Sequence, residues 1–177
     1  MAIIRRKKRG TVIKRNPAAE KGVFNPPKNG KFKQGYFRPC NPEKYNGNVA
    51  QIIYRSGWEL KYMSKLDLDP NVIEWSSEGV VIPYFLTGKE IKPKRYFMDF
   101  KVKYKDKDGT IKTRLVEIKP LKETNPPIRG KKKETTYLKE TLTYVQNMKK
   151  WEAAQKMCNK YGWEFEIITE IELGIKK

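Results

Sequence analysis

Two carboxylates and one lysine have the residue types and the spacing to carry out hydrolysis at a metal ion. Asp99 ends an apolar segment, Glu117 follows 18 positions later, and Lys119 comes two positions after Glu117. Two carboxylates that approach each other repel, so they need a cation between them. A hard ion such as Mg²⁺ takes oxygen ligands and keeps several waters, and a lysine beside it would activate the attacking water or balance charge on a phosphate. We therefore expect a site for phosphodiester hydrolysis that uses no histidine.

The same residues also fit an ordinary surface. An acidic residue on the solvent face of a hairpin is common, and so is the tripeptide Glu-x-Lys. At this point both interpretations stay open.

The composition narrows the chemistry that is available. The 177-residue chain has no histidine and two distant cysteines, Cys40 and Cys158, so we expect no catalytic triad, no ordinary zinc site and no disulfide framework. We find no run of about 18 apolar residues and no signal-peptide pattern, so we expect no membrane partner. The net charge of +19 predicts a polyanionic partner, and nucleic acid is the commonest one. A ribosome-associated protein would explain the charge but not the carboxylates.

Strand alternation predicts how the three residues are presented. Residues 95–104 and 113–119 have the patterns of two strands joined by a turn at 107–109. Glu117 and Lys119 share one face of the second strand, and Val116 and Ile118 face a core. If the strands pair as a hairpin, Asp99 and Glu117 converge on one face. In the first strand we expect Asp99, Phe97 and Lys101 on one face and Tyr96, Met98, Phe100 and Val102 on the other.

The surrounding elements predict an α/β sheet with helices on both faces. Ser56 and Glu59 form a Ser-x-x-Glu helix start, and the sequence Asp-Pro-Asn at 69–71 ends that helix. Other predicted elements are strands at 72–75, 80–85 and 165–168, a loop at 120–133 and a long helix at 135–160.

Residues 1–48 have the composition of a basic extended arm, and we expect the folded domain to cover 49–177. The arm carries 13 Lys and Arg against two acids, Glu20 and Glu43, which is +11 of the +19. Frequent Pro and Gly and the lack of periodicity favour extended or partly disordered structure. Aromatic residues within the arm would stack on bases or pin it to the body, and we favour pinning. These are Phe24, Phe32, Tyr36 and Phe37.

Taken together and in order, the motifs resemble those of the restriction-enzyme-like PD-(D/E)-x-K superfamily, and most of all those of the head-completion nucleases of T4-like tailed phages. They are similar, more weakly, to the endonuclease subunits of some transposition systems. The resemblance covers about residues 54–170 and implies a restriction-endonuclease-like mixed sheet flanked by helices. The segments that carry it are YRSGWE at 54–59, VIPYF at 81–85, RYFMD at 95–99, EIKPLKET at 117–124, WEAAQ at 151–155 and FEIITE at 165–170.

The resemblance also implies roles for individual residues. Glu59, Asp99 and Glu117 match the metal-binding carboxylates, which would hold Mg²⁺ or Mn²⁺. Lys119 matches the catalytic lysine, and Gln155 matches a polar residue on the helix behind the active strand. Alternatively, Glu59 is half of a capping box with Ser56, and Gln155 is a core amide.

Phosphate contacts to double-stranded DNA are expected from clustered cations, although these could equally form a solvated surface. Phosphate contacts bind without specifying sequence, and no base-reading motif is visible. The candidates are Lys101, Lys103, Arg129, Lys131, Lys132 and Lys133.

The resemblance implies a metal-dependent DNA nuclease that acts on packaged DNA in phage head completion and head–tail joining. It implies endonuclease activity and leaves additional exonuclease activity open. We expect such a protein in the host cytoplasm during assembly and at the virion head or neck, with the arm contacting portal, neck or head proteins. Two alternatives are a transposase-type cleavage subunit, disfavoured by the short segment after Thr169, and a non-catalytic DNA-binding structural protein of the virion head or neck.

Overall fold

A mixed four-stranded sheet with one helix on each face organises the protein. The computed structural model describes residues 33–87 and 90–175. The helices and strands are β1 (Gly35–Tyr36), β2 (Ile53–Tyr54), α1 (Gly57–Leu68), β3 (Val72–Ser77), β4 (Val81–Tyr84), β5 (Lys94–Phe97), β6 (Phe100–Lys105), β7 (Ile111–Ile118), α2 (Glu134–Tyr161) and β8 (Glu164–Ile168).

The central sheet has the strand order β3-β6-β7-β8. Strands β3, β6 and β7 are antiparallel neighbours, whereas β8 runs parallel to β7. A parallel neighbour needs a crossover connection, and α2 provides it. The mixed α/β sheet expected from the sequence is confirmed.

Two hydrophobic clusters cover the two faces of this sheet. On the side of α1, Met63 and Leu66 pack with Phe100 and Val116. On the side of α2, Ala154 and Cys158 pack with Leu115. Since neighbouring residues of β7 point to opposite faces, Glu117 lies on the α2 side with Leu115.

Both helices begin or end where the sequence predicts. The Ser56 side chain accepts a hydrogen bond from Glu59 N at the start of α1, which satisfies an otherwise unpaired amide. The C-cap of α2 is Gly162 with φ 66°, a left-handed conformation that favours glycine. In the N-terminal half of α2, the apolar side chains of Leu138, Leu142 and Val145 are exposed, so only the C-terminal half contributes to the core.

The predicted single strand 95–104 is interrupted, which corrects one expectation. Strand β5 pairs with β4 in a separate hairpin, and β6 enters the central sheet. Tyr96 and Met98 therefore join the cluster beneath α2, whereas Phe100 and Val102 join the cluster beneath α1. The expectation that all four share one face was wrong, because the chain changes sheets at Asp99, whose carbonyl accepts a hydrogen bond from Glu78 N at 3.0 Å.

The body begins earlier in the chain than residue 49. Strand β1 pairs with β2, and Phe37 is buried with its ring 5.9 Å from that of Trp75. The buried Asp67 carboxylate accepts hydrogen bonds from Cys40 N and Asn41 N at 2.7 and 3.0 Å. Residues 35–48 are thus held on the body, and the pinning role expected for Phe37 is confirmed. Residues 1–32, with Phe24 and Phe32, lie outside the described residues.

None of the helices in the described ranges has the length and apolarity needed to cross a membrane.

Candidate active site

Asp99 is positioned at the junction between the two sheets, next to the end of β7. One of its carboxylate oxygens, Oδ2, accepts a hydrogen bond from Ile118 N at 2.7 Å. Phe100 lies opposite Val116 in the antiparallel pair of β6 and β7. Asp99 is one residue before Phe100, so its position is opposite Glu117, one residue after Val116. The convergence expected for the two carboxylates is therefore present, although through a sheet junction rather than a continuous strand.

Glu117 is a buried carboxylate, 2% exposed, with both oxygens engaged. The Tyr96 hydroxyl donates a hydrogen bond to Oε2 at 2.8 Å. The ammonium of Lys119 lies 3.1 Å from Oε1. The predicted shared face of Glu117 and Lys119 is confirmed, because the two side chains meet directly.

Burial and mutual repulsion make this pair of acids costly in the absence of a further cation. Burial raises the pKa of Asp99 well above its ordinary value, and the charge of Glu117 raises it further. The Ile118 amide and Lys119 oppose this rise in the Asp99 pKa. Burial alone would lower the pKa of Lys119, but the charges of Glu117 and Asp99 raise it overall. The site therefore favours positive charge.

The donor set fits a hard divalent ion. Asp99 and Glu117 offer only carboxylate oxygens, which Mg²⁺ prefers, and two such ligands suffice because Mg²⁺ usually keeps several waters. Within residues 33–87 and 90–175, no group of three or more acidic or cysteine side chains is arranged to hold a metal. The three-carboxylate set of the sequence analysis is therefore not assembled in this structure.

Glu59 is occupied at the start of α1 in a variant of the capping box. Its oxygens accept hydrogen bonds from Ser56 Oγ at 3.0 Å and from Arg55 N, one residue before the N-cap, at 2.8 Å, so the alternative interpretation holds for the Ser56 side chain, although the backbone donor is Arg55 rather than Ser56. Burial is the main cause that raises the Glu59 pKa. Its charge also contributes to the raised pKa of Asp99, so Glu59 acts on the site electrostatically, while the ligand role implied by the resemblance stays a prediction.

Gln155 is not brought to the site. It is exposed on α2 and donates a hydrogen bond to Asn159 at 2.9 Å. The buried face of α2 is formed by Asn147, Trp151, Ala154 and Cys158, and position 155 lies at the edge of this face, one turn after Trp151, where its side chain is exposed. The geometry supports neither a site role nor a core amide for this residue.

Two residues next to the acids were missed in the sequence analysis. Strand alternation places Tyr96 on the face opposite Asp99, and only the sheet junction brings its hydroxyl to Glu117. Lys150 of α2 is half-buried, with its ammonium 5.3 Å from the centroid of the Tyr96 ring. Its helical position, one turn before Ala154, was the only sequence signal available.

The predicted DNA-contacting cations occupy two different places. Lys101 lies on the α2 side of the sheet with its ammonium 4.6 Å from the Trp163 ring centroid, and Lys103 is exposed two residues further along β6. In the loop before α2, Arg129 pairs with Glu134 and Lys132 with Glu140. Lys131 and Lys133 are exposed. Contact of these six residues with DNA stays a prediction.

Comparisons with known proteins agree with the expected fold. Residues 69–170 match the family model described as TnsA-like endonuclease N terminal. The chain is 41% identical over 140 residues to the head completion nuclease of Enterobacteria phage T4, a match that covers 77% of this chain and 90% of the relative. Asp99, Glu117 and Lys119 lie within the segment matched by the family model, and Glu59 lies before it.

Proposed function

The chain belongs to the TnsA-like endonuclease family, with a restriction-endonuclease-like fold, and on that premise we propose that it is a Mg²⁺-dependent DNA nuclease. The observation that carries this proposal is the meeting of Asp99 and Glu117 beside Lys119. Oxygen donors and an ammonium around one point are suited to a phosphodiester and its attacking water. The substrate proposed is double-stranded DNA, in keeping with the net charge of +19.

Asp99 and Glu117 would hold the metal ion. When bound, Mg²⁺ neutralises negative charge on the phosphate and makes a coordinated water more acidic. Mn²⁺ accepts the same oxygen donors and is expected to replace it. The Ile118 amide fixes Asp99, and the Tyr96 hydroxyl fixes Glu117, so the two carboxylates are held in place by groups that are not themselves ligands.

Lys119 would act on the reacting groups. In the structure its ammonium contacts Glu117 Oε1, and 24% of its side-chain surface is exposed to solvent. It is therefore close to the ligands and still reaches solvent, from which the substrate arrives. We assign to it the stabilisation of charge on the phosphate, or the orientation of the attacking water.

The biological setting proposed is phage head completion and head–tail joining on packaged DNA. It is supported by the name and the 41% identity of the phage T4 relative. Endonuclease activity is proposed from the family, with exonuclease activity as an addition. The protein would act in the host cytoplasm during assembly and at the virion head or neck, with the basic N-terminal arm contacting portal, neck or head proteins.

A plasmid-nicking assay tests the proposal. Purified protein should convert supercoiled plasmid to nicked or linear forms with Mg²⁺ or Mn²⁺, and EDTA should stop the reaction. Asp99→Asn and Glu117→Gln should lose cutting, whereas Glu43→Gln, in an exposed turn, should keep it. Cutting that continues in EDTA would refute the metal mechanism. DNA binding without cutting under all metal conditions would favour the non-catalytic structural protein.

A further inference from the structure

Lys150 is a half-buried cation, and no acidic side chain among residues 33–87 and 90–175 lies within ion-pairing distance of its ammonium. Among the described residues, Lys149 and Lys156, on the same helix, both pair with Glu152, whereas Lys150 forms no such pair. Its ammonium instead lies over the face of Tyr96, 5.3 Å from the ring centroid. A cation that is partly removed from water and lacks a carboxylate partner is costly to keep, although the aromatic ring offsets part of this cost.

The packing of α2 on the sheet places Lys150 beside Glu117. Ala154 packs in the same cluster as Leu115 of β7. The crossover helix α2 runs antiparallel to β7. Earlier residues of α2 therefore lie beside later residues of β7, which are the ones nearest the site. From Ala154 to Lys150 the axial step is about 6 Å, and from Leu115 to Glu117 it is about 6.6 Å. Position 150 of α2 therefore lies level with position 117 of β7.

The charges that act on Lys150 agree with this position. Burial is the main cause that lowers the pKa of Lys150, and the positive charge of Lys119 lowers this pKa further. The negative charges of Glu117 and Asp99 act in the opposite direction. Lys150 thus interacts electrostatically with Asp99, Glu117 and Lys119. Lys119 already contacts Glu117 Oε1, whereas Lys150 does not share a carboxylate, so its charge is available to an anion that enters the site.

We propose that Lys150 binds a phosphate of the DNA strand next to the site formed by Asp99 and Glu117, so that α2 contributes to substrate recognition. This inference rests on the nuclease function proposed above. The predicted cations of β6 and of the loop before α2 do not include Lys150. Lys150 shares with Lys101 its half-burial and its contact with an aromatic ring, and it differs from all of them in lying on α2 level with Glu117. A half-buried ammonium held over a ring at that position has the features of a fixed contact rather than of a solvated surface.

The salt dependence of DNA binding tests this contact without any catalysis. A short fluorescent DNA duplex would be titrated with the full-length protein in EDTA at several salt concentrations. Each phosphate that a lysine neutralises contributes about 0.9 to the slope of log K against log salt. Lys150→Gln should lower the slope by about that amount, Lys150→Arg should retain it, and Lys149→Gln should not change it, because the exposed Lys149 pairs with Glu152.

Steady-state cleavage provides the second readout. A contact made equally in the ground and transition states changes KM and leaves kcat. Lys150→Gln should raise KM roughly 10-fold with kcat within about 3-fold of wild type, and Lys149→Gln should match wild type. The melting temperature of Lys150→Gln should stay within a few degrees of wild type.

The outcomes separate this inference from the proposed function. Wild-type KM and wild-type salt slope in Lys150→Gln would overturn the phosphate contact. A lowered melting temperature with unchanged KM and slope would overturn it as well, since Lys150 would then serve the packing of Tyr96. A wild-type protein that binds DNA but never cuts it would refute the nuclease function alone, because the salt slope would still report on Lys150.

Discussion

The main-chain N–H of Ile118 donates a hydrogen bond to Asp99 Oδ2 at 2.7 Å. It joins the point where the chain changes sheets to the strand that carries Glu117. A backbone donor cannot change rotamer, so the Asp99 carboxylate is oriented before any ligand arrives, which is the preorganisation that an electrostatic site requires. The cost is that the two acids are held together whether or not a cation is present.

Asp99→Asn should stabilise the metal-free protein. The amide oxygen of the asparagine still accepts the Ile118 hydrogen bond, and the loss of the negative charge removes the repulsion with Glu117. A carboxyl group whose pKa is raised by folding destabilises the folded state once it ionises. The gain in unfolding free energy should be roughly 1 kcal/mol or more at pH 7. It should shrink as pH falls towards the ordinary aspartate pKa of 3.8. Urea denaturation in EDTA at pH 7 and pH 5 measures it, and a destabilised variant at pH 7 would contradict the prediction.

Added Mg²⁺ should reverse this order of stability. An ion that binds only the folded state stabilises it by mass action, so millimolar Mg²⁺ should raise the melting temperature of the wild type. Asp99→Asn should respond weakly, because one proposed ligand is gone. Equal responses of the two proteins in a thermal scan would exclude Asp99 as a ligand.

Lys119→Ala should reduce both cleavage and metal-free stability. Removing a preorganised cationic group costs roughly 100-fold in rate. Because the ammonium contacts the buried Glu117, its loss leaves that carboxylate without its ion-pair partner and should cost about 1–3 kcal/mol in EDTA. Lys119 has a pKa raised by folding, so this stabilisation is fully present at neutral pH and is lost only when the pH rises through the folded pKa. Normal cleavage by the folded fraction would make Lys119 purely structural.

Tyr96→Phe should weaken metal binding while leaving the fold nearly intact. The ring stays in the cluster beneath α2, and the losses are the hydrogen bond to Glu117 Oε2 and a longer contact with the Met98 sulfur at 3.8 Å. Removing such an orienting partner typically costs 10–100-fold in metal affinity, so the Mg²⁺ concentration for half-maximal cleavage should rise about 10-fold. Tyr84→Phe in the neighbouring strand, which loses only a contact with Gln146, is the matched control and should behave as wild type.

Two truncations should separate the arm from the body. Residues 1–32 contain ten Lys and Arg and one acid, Glu20, so their removal should flatten the salt dependence of DNA binding and leave the melting temperature within a few degrees. Removal of residues 1–48 also takes away Phe37 and the amides that bind Asp67, and should destabilise the protein by about 2 kcal/mol or more. Equal melting temperatures for both truncations would contradict the assigned start of the body.

Much of the site was predictable because it depends on local alternation. Glu117 and Lys119 are two positions apart on one strand, and a strand places such residues on the same side wherever it lies. The same rule failed for Tyr96. Residues 95–104 alternate without interruption, and only pairing with β4, which is a tertiary event, shows that the face changes at Asp99.

The errors on α2 have different origins. Lys150 looks like any other helical lysine, because its burial is set by the hairpin of β4 and β5. Gln155, in contrast, lies four positions after the buried Trp151 and three before the buried Cys158, so the helical period favours the buried side, and only the packing of α2 leaves its side chain exposed.

The short hairpin that carries Asp99 and Lys119 has a kinetic consequence. These two residues and Glu117 lie within 21 consecutive positions, so β6–β7 pairing alone can bring them together, and pairing between neighbouring segments is fast. Tyr96 packing on α2 and the parallel pairing of β8 join more distant parts of the chain and come later. The acids should therefore meet in water, where repulsion is weak, and only afterwards be enclosed. Late refolding steps, rather than early ones, should be the ones that Mg²⁺ accelerates.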